Sequence, residues 1–517
     1  MSKETYVEGD ILEFTGGNNL SYAKEGIINS GSQVIQNGKE NGVTYGTNKP
    51  APKLLNSVLL KKFLIHFRHS STYNGEFGFD WMRDEYIYPI TLVNGTMKEL
   101  CVDIAKLKTE YKTTDVVDDV SSYDKDYYCS FLNLMLNQEA TLDLEVEELE
   151  VLSSDSTGII FESSNPDLTI TPATVPLNTL IAAGKKNKPL GGIASRDYYL
   201  ATNQIKVKCN KAFTKNEQIK VFAKLKDTTT GSEDKLEVGK MMVMKNDQIY
   251  KLKARFVEVR LRGKITANNL SLGTENALDF SAGTSVASIP SAGISNSIPL
   301  TLSTTISNWK SHIENNENDF KNKFNQALIK YERLPDYKTL RVDFRNFTVG
   351  TSSGGTGIDK IKKSITSIDI DAIACDMEEF LNGLHEMYAT ENTPETGIIV
   401  FLLPIIIRYS NPPAGVRVDY LDGFSDDIFS SGKYIMMTKY SSSLRKETLV
   451  HEAAHTLGLF HSFQTATKDH GRDVTPDYTF EYATTDNIMD YSVNVNTFWK
   501  WQWKKMKLDT TDLELIP

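Results

Sequence analysis

The chain has 517 residues and a mass of 58.0 kDa, which exceeds what one ordinary hydrophobic core accommodates and indicates a multidomain protein. Hydrophobic residues make up 40% and charged residues 24%, a balance typical of a globular rather than a disordered protein. The net charge of −10 is spread without a basic stripe, which argues against nucleic acid and anionic membranes as partners.

Residues 1–135 predict a β-rich N-terminal domain for delivery or binding. Glycines at 26, 38, 42 and 46 indicate short strands joined by tight turns. Residues 73–84 combine several aromatic residues with residue types that favour turns. No neighbouring ligand residue completes a metal site around His66 and His69, so we interpret both as packed or surface histidines. The opening segment and residues 73–84 resemble N-terminal regions of bacterial type VI secretion effectors. The resemblance implies a secretion-machinery carrier as a partner of residues 1–263.

The opening residues, MSKETYVEGD, contain no apolar stretch of the length that a Sec signal peptide needs. No apolar stretch elsewhere approaches the roughly 18 residues of a membrane span. We therefore expect synthesis in the cytoplasm, followed either by action there or by export through a specialised secretion system. The four cysteines form no Cys-x-x-Cys pair and predict unpaired core thiols, with pairing left open for an exported protein: Cys101, Cys129, Cys209 and Cys375.

Residues 138–263 alternate apolar and polar side chains in several short runs, among them 140–147, 205–209, 219–225 and 256–261. Such strands separated by turns predict an immunoglobulin-like β-sandwich. Its role stays open between a spacer and a module that binds a carrier or a target surface. Residues 264–304, rich in Ser, Thr, Ala and Gly, predict a linker.

Residues 305–517 predict an α/β domain that ends the chain. Hydrophobic periodicity indicates a long helix at 305–333 that ends before Pro335, a half-buried strand at 340–344, a second helix at 376–388, a fully buried strand at 397–407 and another strand at 432–440.

The segment His451–His461, HEAAHTLGLFH, carries the chemistry of this domain. On a helix, His451 and His455 lie four residues apart and project from one face, where both can bind one ion. Glu452 lies beside them, in the position of a general base. A continuous helix would carry His461 about 9 Å along the axis and away from the ion. Gly458 can end the helix in the left-handed conformation, which lets His461 return as the third ligand.

Three neutral imidazoles predict a zinc site with one open position. A tetrahedral zinc ion with three protein ligands keeps its fourth position for water, whose pKa falls to about 7. Structural zinc sites, by contrast, are closed by four protein ligands. We therefore predict Zn²⁺ as the cofactor, bound by His451, His455 and His461.

This segment resembles the metzincin signature HExxHxxGxxH. In residues 486–492, DNIMDYS, Met489 matches the Met-turn methionine, which the resemblance places as an apolar floor under the three histidines. Tyr491 matches the tyrosine that some members use as an extra ligand or a transition-state hydrogen-bond donor; a packed tyrosine is the alternative. The sequence around both motifs is similar to that of pappalysin-like metzincins. Astacin-like and serralysin-like metzincins remain alternative subfamilies.

The resemblance implies a metzincin catalytic domain at 305–517 and a zinc-dependent metalloendopeptidase with Glu452 as general base. Protein or peptide substrates would pair with a sheet edge at residues 432–440, just before the active-site helix. The alternative hypothesis is a structural or adhesive secretion component that binds zinc without cleaving.

Overall fold

The structure is a computed structural model. It describes residues 60–91, 97–112, 126–191, 194–226, 233–262, 285–286, 300–343, 355–368, 373–403, 407–409, 421–426, 433–438, 446–464, 468–469, 472–473, 476–493, 495–509 and 511–516. The chain divides into two compact units, Met1–Leu60 and Lys61–Pro517, and the elements described below belong to the second. The glycine-rich turns predicted before residue 60 and most of the linker predicted at 264–304 lie outside the described residues.

The first half of this unit consists mainly of strands. In chain order its elements are β1 (Phe63–His69), β2 (Gly78–Asp80), α1 (Asp84–Ile87), β3 (Ile90–Thr91), β4 (Met97–Lys98), α2 (Ile104–Tyr111), β5 (Ser130–Asn133), β6 (Glu139–Glu148), β7 (Gly158–Ser163), β8 (Leu168–Thr171), β9 (Thr174–Pro176), α3 (Leu177–Ile181), β10 (Lys185–Pro189), β11 (Ser195–Cys209), β12 (Glu217–Lys226), β13 (Glu233–Val243) and β14 (Ile249–Arg262).

The second half mixes helices and strands. Its elements are β15 (Ser285–Val286), β16 (Leu300–Thr301), α4 (Leu302–Asn315), α5 (Glu317–Asn325), β17 (Ile329–Arg333), β18 (Lys338–Asp343), α6 (Ile358–Ser364), β19 (Ile365–Ile368), β20 (Ile373–Cys375), α7 (Met377–Glu391), β21 (Ile398–Leu402), β22 (Ile407–Tyr409), β23 (Gly423–Ser425), β24 (Tyr434–Met437), α8 (Thr448–Thr456), β25 (Lys468–Asp469), β26 (Arg472–Asp473), α9 (Lys500–Met506) and β27 (Leu513–Ile516).

Two sheets of the first half pack face to face. One has the order β1-β6-β11-β10 with β8 beside β11, and the other has the order β2-β5-β13-β12-β7-β9. The rings of Phe67 and Phe161 meet between them with centroids 6.2 Å apart. Gly239 on β13 lies so close to β1 that a Cβ there would come within 2.4 Å of the Ile65 carbonyl oxygen. The close approach of the two backbones at this point therefore requires glycine.

Domain boundaries predicted at 135–138 and at 263 do not coincide with these sheets. Strands β1, β2 and β5, all before residue 138, pair with strands of the two packed sheets. Strand β14, predicted as the last strand of the sandwich, instead pairs with β17, β18, β21 and β27 in a sheet of the second half. Alternation along 256–261 identified a strand, but period-two patterning does not specify which sheet a strand joins.

A seven-stranded sheet organises the second half around β14. Its order is β17-β14-β21-β24-β23, with β18 and β27 also paired to β14. Strands β17, β18 and β21 run parallel to β14, and β24 runs parallel to β21. Strand β27 runs antiparallel to β14, and β23 runs antiparallel to β24 and forms the edge among the described strands. The strand predicted as the edge at 432–440 is thus internal among the described strands, because β23 pairs with β24 and forms the edge there.

Helices cover both faces of this sheet. On one face α6 and α7 pack against side chains that include Val257, Phe401 and Met436. On the other, α5 and α8 pack against side chains that include Phe256, Val400 and Ile435. Adjacent residues in a strand point their side chains to opposite faces of the sheet. A strand in a sheet that is covered on both faces therefore has apolar residues at consecutive positions, as β21 does. The prediction of a covered strand at 397–407 is confirmed for Ile398–Leu402.

The long helix predicted at 305–333 is wrong in its last turns. The structure has two helices, α4 and α5, after which the chain turns through Leu328 at a φ of 59° and enters β17. Ile329 and Tyr331 alternate with polar residues, which is a strand pattern. The helical spacing of apolar residues earlier in the segment was extended over these residues, so the strand was not predicted. The helix predicted at 376–388 is confirmed as α7, and the Asp376 carboxylate caps it by accepting the Glu379 N–H at 3.1 Å.

One hydrophobic core connects the two halves. A single cluster includes Leu64, Tyr111 and Phe131 from the first half together with Met489 and Trp499 from the second. The four cysteines are buried and none of them forms a disulfide, as predicted. None of the helices among the described residues is long and apolar enough to cross a membrane. The strands of the first half therefore belong to the same folded unit as the second half, which carries the three histidines; this second half is the histidine-bearing half.

Candidate metal centre

Helix α8 carries the first two histidines and ends where the sequence predicts. Gly458 adopts a φ of 88°, and its N–H donates to the His455 carbonyl oxygen at 2.8 Å. The Leu459 N–H donates to the Ala454 carbonyl oxygen at 3.0 Å. These two bonds form a Schellman motif, which satisfies the last carbonyl groups of the helix and reverses the chain. The reversal brings His461 back toward the helix.

The three histidines meet at one point. Nε2 of His451 lies 3.1 Å from Nε2 of His455 and 3.2 Å from Nε2 of His461, and the third distance is 3.1 Å. Three nitrogen ligands of a tetrahedral zinc ion, each about 2.05 Å from it, would be separated by about 3.3 Å. Among the described residues, these three form the group that could hold a metal ion. The donor set and its spacing therefore fit zinc.

Hydrogen bonds orient two of the rings. Nδ1 of His451 lies 2.8 Å from the Ile488 carbonyl oxygen, and Nδ1 of His455 lies 2.7 Å from the Leu459 carbonyl oxygen. A carbonyl oxygen only accepts, so Nδ1 carries the proton and Nε2 keeps its lone pair for a metal. Burial, followed by the neighbouring His451 ring, lowers the pKa of His455 to about 3. Burial and the two neighbouring rings also hold the pKa of His461 far below its usual value. Both imidazoles are thus held in the neutral form that binds metal.

Glu452 is buried beside the histidines and beneath the edge strand β23. Burial raises the pKa of its carboxyl group to about 8, and the nearby Asp422 adds to the rise, whereas a hydrogen bond with Ser425 opposes it. A Cβ on Gly423 would lie 2.8 Å from Glu452 Cγ. The carboxyl group therefore has a raised proton affinity, as a group that accepts a proton from water requires.

The turn containing Met489 is fixed by a carboxylate and an amide. The Asp490 carboxylate accepts N–H groups from residues 483, 484, 485 and 491 and the Thr485 hydroxyl, over 2.7 to 3.1 Å. The Asn487 side chain accepts the Met489 N–H at 2.9 Å and donates to Gln502 on α9 at 2.7 Å. Met489 is fully buried, and its carbonyl oxygen accepts the Ser462 N–H at 3.0 Å. The turn is thereby tied to the segment that carries His461.

Tyr491 lies at the metal-facing side of the cluster. Its hydroxyl oxygen is 3.0 Å from Nε2 of His461, and its ring lies 5.1 Å from Phe463 between centroids. Since Nε2 is the atom that would bind a metal, the hydroxyl lies next to the position that an ion held by the three histidines would take. The structure brings together every residue that the sequence singled out for the site.

Sequence reasoning missed the residues that support the site. Ser425 and Gly423 contact Glu452 from a strand more than twenty residues upstream, and no local pattern marks them. Arg83 reaches the same turn region from the N-terminal half, donating to Asp486 at 2.7 Å. Asp490 gave a local signal, because an aspartate inside a tight turn commonly accepts nearby backbone N–H groups.

Comparison of the chain with models of protein families, and with curated proteins, gave no match.

Proposed function

We propose that the chain is a zinc-dependent metalloendopeptidase of the metzincin type. The observation that supports this proposal is the convergence of three imidazole Nε2 atoms to within 3.2 Å of one another, next to the buried carboxyl group of Glu452. Three neutral nitrogen ligands leave a tetrahedral ion one exchangeable position, as catalytic zinc sites do. A carboxyl group beside that position completes the minimum required for hydrolysis.

The chemistry that zinc supplies when bound is polarisation of a water molecule, with a pKa lowered toward about 7. Glu452 accepts a proton from the attacking water and returns it to the leaving nitrogen of the peptide. The Tyr491 hydroxyl donates a hydrogen bond to the carbonyl oxygen as negative charge develops on it. His451, His455 and His461 hold the metal, with Met489 and Gly458 fixing their surroundings.

The edge strand β23 is the surface on which a substrate is bound in this proposal. It runs antiparallel to β24 and contacts α8, and its Gly423 lies against Glu452, which follows the first histidine. An extended peptide adding to this edge would place a backbone carbonyl near the metal with little dependence on its side chains. The substrate class is therefore a protein or peptide in extended conformation.

The experiment is cleavage of an unstructured protein such as casein by the purified, zinc-loaded chain, compared with Glu452→Ala and His455→Ala. We expect Glu452→Ala to retain about one zinc per chain and to lose activity by several orders of magnitude. We expect His455→Ala to lose the metal. If the wild type and Glu452→Ala behave alike while zinc is bound, the competing hypothesis of a non-catalytic zinc-binding structural or adhesive component replaces this one.

The packed sheets of the first half support a second, architectural part of the proposal. Two mainly antiparallel sheets facing each other are the arrangement of an immunoglobulin-like sandwich. We infer that this module and the preceding residues bind a secretion-machinery carrier, as the resemblance to type VI effectors suggests. Co-purification of partners with the full chain and with a chain that lacks only the first compact unit, Met1–Leu60, tests this role, because later residues of the first half share a core and a sheet with the second half. Retention of every partner by the shortened chain would contradict a role of that unit in carrier binding.

A further inference from the structure

A layer of charged side chains is buried on the outer face of the sheet that contains β1, β6 and β11. Phe67 faces the other packed sheet and pairs with Leu144, so the next residue of β6, Glu145, points the opposite way. The outer face of an antiparallel sheet is commonly polar and solvated. Here His66, Glu145 and Glu147 are only 7%, 6% and 2% exposed. Other parts of the chain therefore cover this polar face.

Charged partners accompany the carboxylates of this layer. Arg196 on β11 donates to the Glu145 carboxylate at 2.8 Å and to the Asp84 carboxylate at 2.7 Å. Nε2 of His66 lies 2.9 Å from a carboxylate oxygen of Glu147. Burying charged groups is costly even when they are paired, and apolar residues of similar volume are often at least as stabilising. The buried charges therefore indicate a function other than stabilising the fold.

A cavity of about 390 Å³ lies against this layer, which is large enough for a small organic molecule. The charged side chains that line it are three cations and three carboxylates: Arg68, Lys108, Arg196, Asp84, Asp126 and Glu147. Asp126 is exposed, so solvent reaches the cavity from that side. The lining therefore offers charges of both signs in equal number to a molecule that enters.

One donor of the lining is left unsatisfied. Arg196 is 8% exposed, and its Nε atom is buried without a hydrogen-bond partner in the part of the chain that the structure describes. A buried N–H group without an acceptor is unfavourable, so such groups are rare in folded proteins. The guanidinium group binds carboxylate oxygens strongly, because its N–H groups match their geometry. Arg196 therefore favours a ligand that carries a carboxylate.

We propose that this cavity binds a small zwitterion, an α-amino acid with an apolar or aromatic side chain. The ligand carboxylate accepts from Arg196, and its ammonium group is matched by the carboxylates of the lining, Glu147 among them. Its side chain packs against Ile87, Leu190 and Tyr128, which also line the cavity. A zwitterion leaves the balance of charges unchanged, whereas an ion of one sign would add a net charge to a largely buried site. The site is separate from the histidine cluster and does not depend on peptide cleavage.

The test uses the full-length, zinc-loaded protein and measures heat release on binding and the midpoint of thermal unfolding. The probes are L-phenylalanine and L-leucine. Phenylpropionate and phenethylamine, which each lack one of the two charges of phenylalanine, are titrated in parallel. We expect saturable binding of about one amino acid per chain, a rise in Tm, and binding of each single-charge analogue that is at least about tenfold weaker. Absence of binding by both amino acids, or equal binding of either analogue, overturns the proposal.

Two cavity variants and a matched control complete the experiment. Arg196→Lys keeps the positive charge but removes the Nε–H group, and Leu190→Trp fills part of the cavity from a half-buried position. Each is expected to weaken amino-acid binding at least about tenfold. Leu136→Trp adds the same ring at a 47% exposed position outside the cavity and should bind as the wild type does. Binding that survives in both cavity variants would place the ligand elsewhere, such as at the histidine cluster, and overturn the assignment.

Discussion

Gly423 on the edge strand β23 lies directly against Glu452 on helix α8. A Cβ atom built on Gly423 would come within 2.8 Å of Glu452 Cγ, 3.1 Å of its Oε1 and 3.1 Å of Thr448 Cγ2. Contacts under 3.0 Å require one partner to move. The absence of a side chain at this position therefore lets β23 cover the carboxyl group and exclude water from one side of it.

The first prediction concerns Gly423→Ala. We expect peptide cleavage to fall at least tenfold and the free energy of unfolding to fall by about 1–3 kcal/mol, because an added methyl group in a packed site forces its neighbours apart. Zinc content should stay at the wild-type level, since the histidines are not displaced directly. Steady-state kinetics, metal analysis and urea unfolding measure these three quantities.

Gly158→Ala is the matched control for this substitution. Gly158 also lies on a strand, yet an added Cβ would make only ordinary contact, 3.6 Å from Thr174 Cγ2. We expect wild-type activity from it. If Gly423→Ala is as active as Gly158→Ala, the close contact with Glu452 has no part in positioning the carboxyl group.

Tyr491→Phe tests the hydroxyl group that lies 3.0 Å from His461 Nε2. Removing one donor to a developing oxyanion typically lowers kcat by about 10²–10³, and a donor at the margin of the site should have a smaller effect, on the order of tenfold. KM and zinc content should change little, because the ring stays packed against Phe463. Tyr482→Phe, at an exposed tyrosine next to Tyr491, should be neutral. Equal turnover in the wild type and Tyr491→Phe would leave Tyr491 a packing residue.

Arg83→Met tests the connection between the N-terminal half and the turn that carries Met489. Arg83 donates to Asp80 at 2.8 Å and to Asp486 at 2.7 Å, and Asp80 is fully buried. The substitution removes the cation that is paired with the buried Asp80 carboxylate. We therefore expect a loss of about 3–5 kcal/mol in the free energy of unfolding and weaker zinc binding.

Lys206→Met provides the comparison for Arg83→Met. It breaks an exposed ion pair with Glu139, 2.9 Å between N and O, in the same half of the protein. Exposed pairs contribute less than about 1 kcal/mol, so this variant should unfold almost as the wild type does. Equal stability of the two variants would show that the buried contact does not support the histidine-bearing half.

The histidine cluster was predictable because its information is local. His451, Glu452, His455, Gly458 and His461 lie within eleven consecutive residues, and helix geometry plus one left-handed glycine fixes how they meet. Met489 and Tyr491 came from the resemblance, not from geometry. In contrast, Ser425 and Gly423 contact Glu452 only because of the order of strands in the sheet, which no local spacing encodes.

The fold was less predictable for the same reason. Alternation located β6, β11, β12 and β14 correctly as strands, yet β14 pairs with strands up to 267 residues later in the chain, at Ile249 and Ile516. The pairing depends on which apolar faces remain to be buried after each element forms, a tertiary property. Strand β14 follows the sandwich strands in sequence but pairs with β17, β18, β21 and β27 in the next sheet, and local alternation does not encode that choice.

The final prediction concerns pH and the buried carboxyl group of Asp512, just before β27. Its folded-state pKa of about 8 is far above the ordinary value of 3.8, with burial as the main cause, Asp509 and Asp426 as additional causes and Lys433 in opposition. Between those values the folded state binds more protons than the unfolded state, so this group contributes stability at low pH that is lost as pH rises through about 8. We expect the free energy of unfolding of the wild type to fall more between about pH 5 and about pH 8 than that of Asp512→Asn, measured by urea unfolding. Asp336→Asn, at an exposed position, should retain the wild-type slope. Parallel pH profiles for the wild type and Asp512→Asn would mean that the buried carboxyl group is already charged in the folded protein at about pH 5.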